Sequence, residues 1–169
     1  RLDGEILRLQ SAEQRLRSGT SAEALQETQK RADALRVLAG TTGVTGPGVK
    51  LRIEGENAFF ASDLLNTVQE LRDAGAEAIE INGNRVVVDT WFADEGDGIS
   101  VSDTLVRAPF LITAIGDPNT MATAMRIPGG IADTVESQDG SLVITEREEV
   151  EILSTVNLPE PDPNVAVTD

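Results

Sequence analysis

Residues 62–88 read SDLLNTVQELRDAGAEAIEINGNRVVV, and the order of signals inside this stretch decides the fold. Ser62 is placed to cap a helix, Asp63 sits in its first turn, and Leu64, Leu65, Val68 and Leu71 share one face as far as Ala74. Gly75 ends that helix. Ile79 and Ile81 then alternate with Glu80 as a half-buried strand does. Asn82-Gly83 is a strong hairpin signal, turning the chain into Val86, Val87 and Val88.

Working outward, Val49, Leu51 and Ile53 alternate with charged residues and predict a strand. It is entered from Gly40–Gly48, GTTGVTGPG, whose glycines and proline disfavour a long helix or strand and read as a turn feeding an edge strand. Downstream, Trp91 and Phe92 extend the second strand of the hairpin to the loop Asp94-Glu95-Gly96-Asp97-Gly98, and Ile99 and Val101 form a return strand. Most of the few aromatic residues lie between Phe59 and Phe110, where they are expected to fill the core. Phe110–Ile115 is almost continuously apolar and belongs mid-sheet. Asp117 and Pro118 supply the N-cap and first position of a short helix through Met125, interrupted at Pro128-Gly129-Gly130. A second helical segment runs from Ile131 to Ser137 and, after the turn at Asp139-Gly140, a last strand runs from Leu142 to Ile152. These elements predict an α+β domain, a ferredoxin-like split β-α-β arrangement with helices on one sheet face and an extra β-hairpin within residues 85–102.

Ahead of that domain, Leu2 to Leu38 is rich in Ala, Glu, Gln, Leu and Arg and has no proline, the composition of a helix. Leu2, Leu9 and Leu16 recur every seven residues with Ile6 beside them, and Leu25, Ala32, Leu35 and Leu38 continue the stripe. Gly19 interrupts it, and Thr20 with Glu23 has the spacing of a capping box, so two helices or one hinged helix are expected. A stripe this narrow needs a partner helix, and the expected partner is a second copy of the chain, giving a dimer; packing on the chain's own domain is the plainer alternative. The organisation read from sequence is therefore a helical, coiled-coil-like stalk at 1–39, a glycine-rich linker at 40–48, a globular domain at 49–157 and a disordered acidic tail at 158–169.

Composition narrows the chemistry. The 169 residues contain 14 Lys plus Arg against 29 Asp plus Glu, a net charge of −15, which repels phosphate backbones and argues against a nucleic-acid partner. There is no histidine and no cysteine, which excludes Ser-His and Cys-His nucleophiles, imidazole or thiolate zinc sites and disulfides. No run approaches the roughly 20 apolar residues of a membrane span. The chain begins at Arg1, already inside a helical pattern, and the expectation is that an N-terminal piece carrying an anchor or signal has been removed.

Three constellations invite a chemical reading. Gly43, Gly48 and Lys50 come close to a phosphate-binding loop, but the lysine is one residue late and a strand follows where a helix is required. Asp89, Asp94, Glu95, Asp97 and Asp103 gather in and beside one loop; they lack the ligand spacing of a calcium loop, and the chain is too poor in aromatics for a sugar cleft, so a solvated turn is the favoured reading. Asn82, Arg85 and Asp117 are the candidate ligand-binding residues, with a pairing of Arg85 to Asp89 as the plainer alternative. No catalytic residue, metal ligand or cofactor is assigned.

Four separated strings, GVTGPGVKL (43–51), ELRDAGAEAIEINGNRV (70–86), APFLITAIGDP (108–118) and IPGG (127–130), resemble a bacterial family known as domain of unknown function 881 across roughly residues 38–155. The shared positions are Gly46, Pro47, Gly48, Gly75, Ala76, Glu77, Asn82, Gly83, Arg85, Gly116, Asp117, Pro118, Pro128, Gly129 and Gly130, mostly turn and cap residues whose requirement is backbone geometry. The acidic 94–98 loop and the short 54–60 connection depart from the family pattern. The resemblance implies a single-pass membrane protein in which this chain is extracytoplasmic, with genes near cell-division, sporulation or envelope functions and no established catalytic residues. The function expected on that basis is non-enzymatic protein assembly with unidentified envelope or division partners; a binder of cell-wall fragments and an acid-only hydrolase are the alternatives.

Overall fold

Val49, Leu51 and Ile53 are all at most 1% exposed and turn to one side of β1 (Val44–Glu54), so strict alternation along one strand sets the inner face of the sheet. The computed structural model describes residues 2–55 and 59–157, with side chains in the first helix from Arg8 onward. The side chains of Leu2 and Ile6 and the tail at 158–169 therefore lie outside the described residues. In chain order the elements are α1 (Leu2–Leu38), β1, α2 (Ala61–Asp73), β2 (Ala78–Ile81), β3 (Asn84–Val86), β4 (Phe92–Glu95), β5 (Gly98–Val101), β6 (Thr104–Val106), β7 (Phe110–Ile115), α3 (Pro118–Met125), α4 (Ile131–Ser137) and β8 (Ser141–Ile152). The protein is thus a mixed α+β chain with a long N-terminal helix followed by antiparallel sheets, and it divides into two units, one formed by the helix as far as Arg36 and the other beginning at Val37.

The larger sheet has the order β3-β2-β7-β1-β8, every neighbouring pair antiparallel. β1 lies inside it, between β7 and β8, rather than at an edge, and it begins at Val44, within the segment expected to be a linker. The reason is local. Where β1 passes β7 and β8, a Cβ at position 48 would stand 2.1 Å from the carbonyl oxygen of Ala114 and 2.7 Å from Val150 Cγ2. Only glycine admits that approach. Between Gly46 and Gly48 the register against β8 shifts, and the bulge accommodates Pro47, which has no N–H to give a ladder and whose carbonyl accepts from Gly116 N–H at 2.9 Å.

The stretch that decides the fold behaves as read, with three adjustments, the first being that Leu65, expected on the apolar face of α2, is 42% exposed. Helix α2 starts one residue before Ser62, its N-cap is Phe60, and the Asp63 carboxylate accepts from Phe60 N–H at 3.0 Å. Asn82 and Gly83 turn with φ of 45° and 80°, pairing Ile81 with Asn84, but β3 stops at Val86. Thr90 Oγ1 then accepts from Val87 N–H at 2.8 Å and closes a turn, so Trp91 and Phe92 do not extend that strand. They lead into a separate sheet of order β4-β5-β6, and the expected extra hairpin is a three-stranded meander.

Leu64, Val68 and Leu71 of α2, Met121 and Met125 of α3, and Ile131 and Val135 of α4 close over Ile79, Ile81, Ile112 and Ala114 on the inner face. The rings of Phe59 and Phe110 meet there at 5.4 Å. By alternation the residues next to these turn to the other face, where Ala78, Ile115, Val150 and Ile152 form a smaller cluster with Val44. Each leucine or isoleucine so buried contributes about 1.5–3 kcal/mol, which makes the sheet centre the most stable part of the body.

Helix α1 is continuous, without the expected break at Gly19. A single interior glycine costs about 1 kcal/mol, too little to end a helix whose neighbours all favour it, and Thr20 donates to Leu16 O at 2.7 Å instead of capping a new start. Continuity also divides the expected stripe. At about 100° per residue, the nine positions between Leu16 and Leu25 put these side chains on opposite sides of the helix. Leu9, Leu16, Leu25 and Leu35 are 58–74% exposed.

Two glycines give opposite expectations in denaturant unfolding followed by circular dichroism. Gly48→Ala lowers stability by about 1–3 kcal/mol through the clash with Ala114, whereas Gly19→Ala, with open space around it, strengthens α1 by about 1 kcal/mol. Equal effects at the two sites would contradict the packing described.

Candidate functional site

The three candidate ligand residues do not share a cleft. Asn82 latches the hairpin turn onto the start of β7: its Oδ1 accepts from Leu111 N–H at 2.8 Å and its Nδ2 donates to Pro109 O at 3.1 Å. Asp117 lies past the other end of that strand and caps α3, accepting from Thr120 N–H at 2.8 Å and from the Thr120 hydroxyl at 2.6 Å. The Thr120 hydroxyl bond, reinforced by the backbone one, holds its carboxyl below the usual carboxylate range.

Arg85 is 5% exposed, on the outer face of β3 opposite Glu80 of β2. Its terminal nitrogens donate to three carbonyl oxygens, those of Val37 at 2.8 Å, Thr42 at 3.0 Å and Ser154 at 3.3 Å. Ser154 in turn donates its hydroxyl to Glu80, and Val156 N–H reaches Gly40 O at 2.8 Å. Burial pulls the guanidinium below its ordinary pKa while the Glu80 charge acts the other way. Arg85 therefore ties the chain entering the body, 37–42, to the chain leaving it after β8, and is not available to an anion. We expect Arg85→Ala to lower stability in urea by at least about 1.5–3 kcal/mol, the value of one charge-assisted hydrogen bond. Arg85→Lys should recover only part of it, because an ammonium lacks the fork that serves three carbonyls; full recovery would contradict this role.

The acidic loop is also occupied structurally. Asp94 Oδ1 accepts from Ala61 N–H at 2.8 Å, supporting the first turn of α2 from 33 residues away. Glu95 accepts from the Ser100 hydroxyl, and Asp97 pairs with Arg107 at 2.7 Å. That side-chain bond from Arg107 is the first cause of the lowered Asp97 pKa. No group of three or more metal-ligating side chains is assembled among the described residues.

Two concavities are formed elsewhere. The first is a groove of about 670 Å³ beside β3, lined by Leu38, Val87, Val88, Asp89, Trp91 and Asp103 among others. Trp91, expected in the core, is 49% exposed here, and Val88 is 91% exposed. The apolar run Val86-Val87-Val88 followed by Trp91 was the signal for this surface, and it reads equally well as a buried strand. The second, about 450 Å³, lies between Glu70 and Asp73 of α2, Ala124 of α3 and the Ile127–Gly130 segment. Glu70 Oε2 is shielded there without a hydrogen-bond partner in the described structure, and burial, then the Asp73 charge, push this carboxyl above the usual range. A raised folded-state pKa means that stability is lost as pH rises through it and is fully present below the ordinary value. Glu70→Gln should therefore melt higher than the parent at pH 7, with the difference closing by about pH 4; a gap independent of pH would contradict this.

With the geometry in place, comparison with known proteins gives a family and no activity. The model of a family described as "Bacterial protein of unknown function (DUF881)" matches residues 31–162. UPF0749 protein Rv1825 of Mycobacterium tuberculosis is 38% identical over 158 residues, 89% of this chain and 54% of that protein. UPF0749 protein YlxW of Bacillus subtilis is 33% identical over 135 residues, 73% of this chain and 56% of that protein. The chain thus spans about half the length of these relatives. A crystal structure of an uncharacterized conserved protein from Mycobacterium tuberculosis is similar with a TM-score of 0.72 and 35% identity, covering 82% of this chain and 99% of that one. The match over most of the chain places it in a family: it belongs to the DUF881 family of bacterial proteins.

Proposed function

We propose that this chain is a non-enzymatic assembly module in which α1 pairs with the same helix of a second copy and the α+β body presents contact surfaces. The observation that carries the reading is the exposure of Leu9, Leu16, Leu25 and Leu35, 58–74% each, on a helix whose leucines have no cover among the described residues. Two leucine faces on opposite sides suit successive helix contacts better than one seam. Several side chains whose positions suggested chemistry are employed in holding the fold: Arg85 on carbonyls, Asp94 on a helix start, Asp97 on Arg107. The same reading takes the body as a ferredoxin-like split β-α-β sheet, supported by the order β3-β2-β7-β1-β8, in which β1-α2-β2 and β7-α3-α4-β8 each return one strand away.

The wider setting, an N-terminal anchor in the cell membrane with this chain extracytoplasmic and a place in envelope or division assemblies, is part of the proposal and is supported by the family resemblance. No described helix is long and apolar enough to cross a membrane. The residues once grouped as a cell-wall-fragment site stand at opposite ends of β7 or on backbone carbonyls, so no observation favours that alternative.

Sedimentation of the full chain tests the reading. We expect a dimer or larger species at tens of micromolar that becomes monomeric in Leu9→Glu/Leu16→Glu, while the melting midpoint of the body is unchanged. A wild-type monomer over the whole concentration range would overturn it.

A further inference from the structure

We propose that the groove beside β3 is a docking site for an extended segment of a partner protein that carries apolar side chains together with lysine or arginine. Its lining residues lie within residues 38–157, beginning with the last residue of α1.

Leu38, Val88 and Trp91 are 67%, 91% and 49% exposed, and all three line the same concavity of about 670 Å³. Of the other exposed apolar residues of the body, Leu65, Leu111, Ile127 and Val143 do not line this groove. Apolar side chains converging on one concave surface mark a contact site, where scattered ones do not.

The backbone around the groove is hydrogen-bonded. Trp91 O accepts from Ser102 N–H at 2.8 Å, extending the ladder that pairs Phe92 with Val101, and the Val87 to Thr90 turn is closed by two hydrogen bonds, at 2.8 and 3.2 Å. The backbone that carries the indole is therefore hydrogen-bonded on both sides of it, which suits an anchor residue. β3 bounds the groove and, among the described residues, is an edge strand paired with β2 alone, so an extended backbone can lie along it.

Charge selects the occupant. Asp89 and Asp103 are exposed at the groove and neither is in an ion pair among the described residues. Arg85, the cation that lines the groove, is buried and holds the carbonyls of Val37, Thr42 and Ser154. What remains toward the partner is carboxylate beside an aromatic face, on a chain of net charge −15. That combination attracts ammonium or guanidinium groups, through the rim charges and through cation–π contact with Trp91, and disfavours an acidic segment.

Trp91 is the single tryptophan, so its emission reports on this groove alone. A capped decapeptide of alternating valine and lysine, titrated against the full chain at physiological salt, is expected to give a saturable blue shift that weakens as salt is raised. The valine–glutamate counterpart should give none. Asp89→Asn/Asp103→Asn should bind roughly tenfold more weakly and Val88→Ser more weakly still, both with unchanged melting midpoints since the altered side chains are exposed. Leu9→Glu/Leu16→Glu should bind as the parent does, which separates this site from helix pairing. The proposal is overturned if the glutamate peptide binds as well, if Trp91 does not respond, if the aspartate variant keeps its affinity, or if binding is lost with the α1 variant. It is also overturned, in favour of the chain's own C-terminal segment, if a synthetic peptide of residues 158–169 shifts Trp91 more strongly than the lysine peptide.

Discussion

Strand β1 has hydrogen-bonded neighbours on both edges, and that is possible only because it presents bare backbone at Gly48. A Cβ at position 48 would sit 2.1 Å from the Ala114 carbonyl oxygen. Once glycine lets β7 approach, Val49, Leu51 and Ile53 fall into line with Phe110, Ile112 and Ala114, and helices α2, α3 and α4 have a continuous apolar floor to cover. The same approach brings Gly116 N–H to Pro47 O and places Asp117 where it can start α3. The GPG motif is thus a packing requirement between strands.

Signals that act over a few residues were legible in the sequence: the alternation at 49–53, the apolar face of α2, the Asn82-Gly83 turn, the Asp117-Pro118 helix start. Each is a local preference that tertiary structure did not override. What was not legible depended on partners distant in sequence. Gly-rich residues 44–48 look like a linker until β7 and β8 supply the neighbours that make them a strand. Phe60 and Asp63 share the start of α2 with Asp94, a contact across 33 residues. Trp91 reads as core because most of the few aromatics lie between Phe59 and Phe110, and the turn at Val87–Thr90 sends it outward. In α1 the expected common face depends on a break at Gly19 that nothing enforces.

The candidate site was legible as residue types and not as a place. Asn82, Arg85 and Asp117 are polar residues in family motifs, and each is employed in making the chain hold its shape. Arg85 is the clearest case. A buried guanidinium with three carbonyl partners removes the cost of leaving those carbonyls unpaired where two irregular segments cross the sheet. Sequence alone assigns it to a ligand or to a neighbouring carboxylate, because backbone acceptors carry no residue-type signature.

These assignments bear on function through their distribution. In a catalytic site, polar groups are held with their reactive atoms free and apolar groups exclude water around them. Here Arg85, Asp94, Glu95 and Asp97 make internal bonds, while leucine, valine and tryptophan side chains stand in solvent on α1 and around the groove. Exposing them costs free energy that a solitary molecule has no way to regain, whereas association removes them from water at about 25 cal/mol per Å². On the assembly reading proposed above, the acidic surface acts on the choice of partner, since it repels other acidic chains and leaves neutral helices or basic segments as the surfaces that can approach.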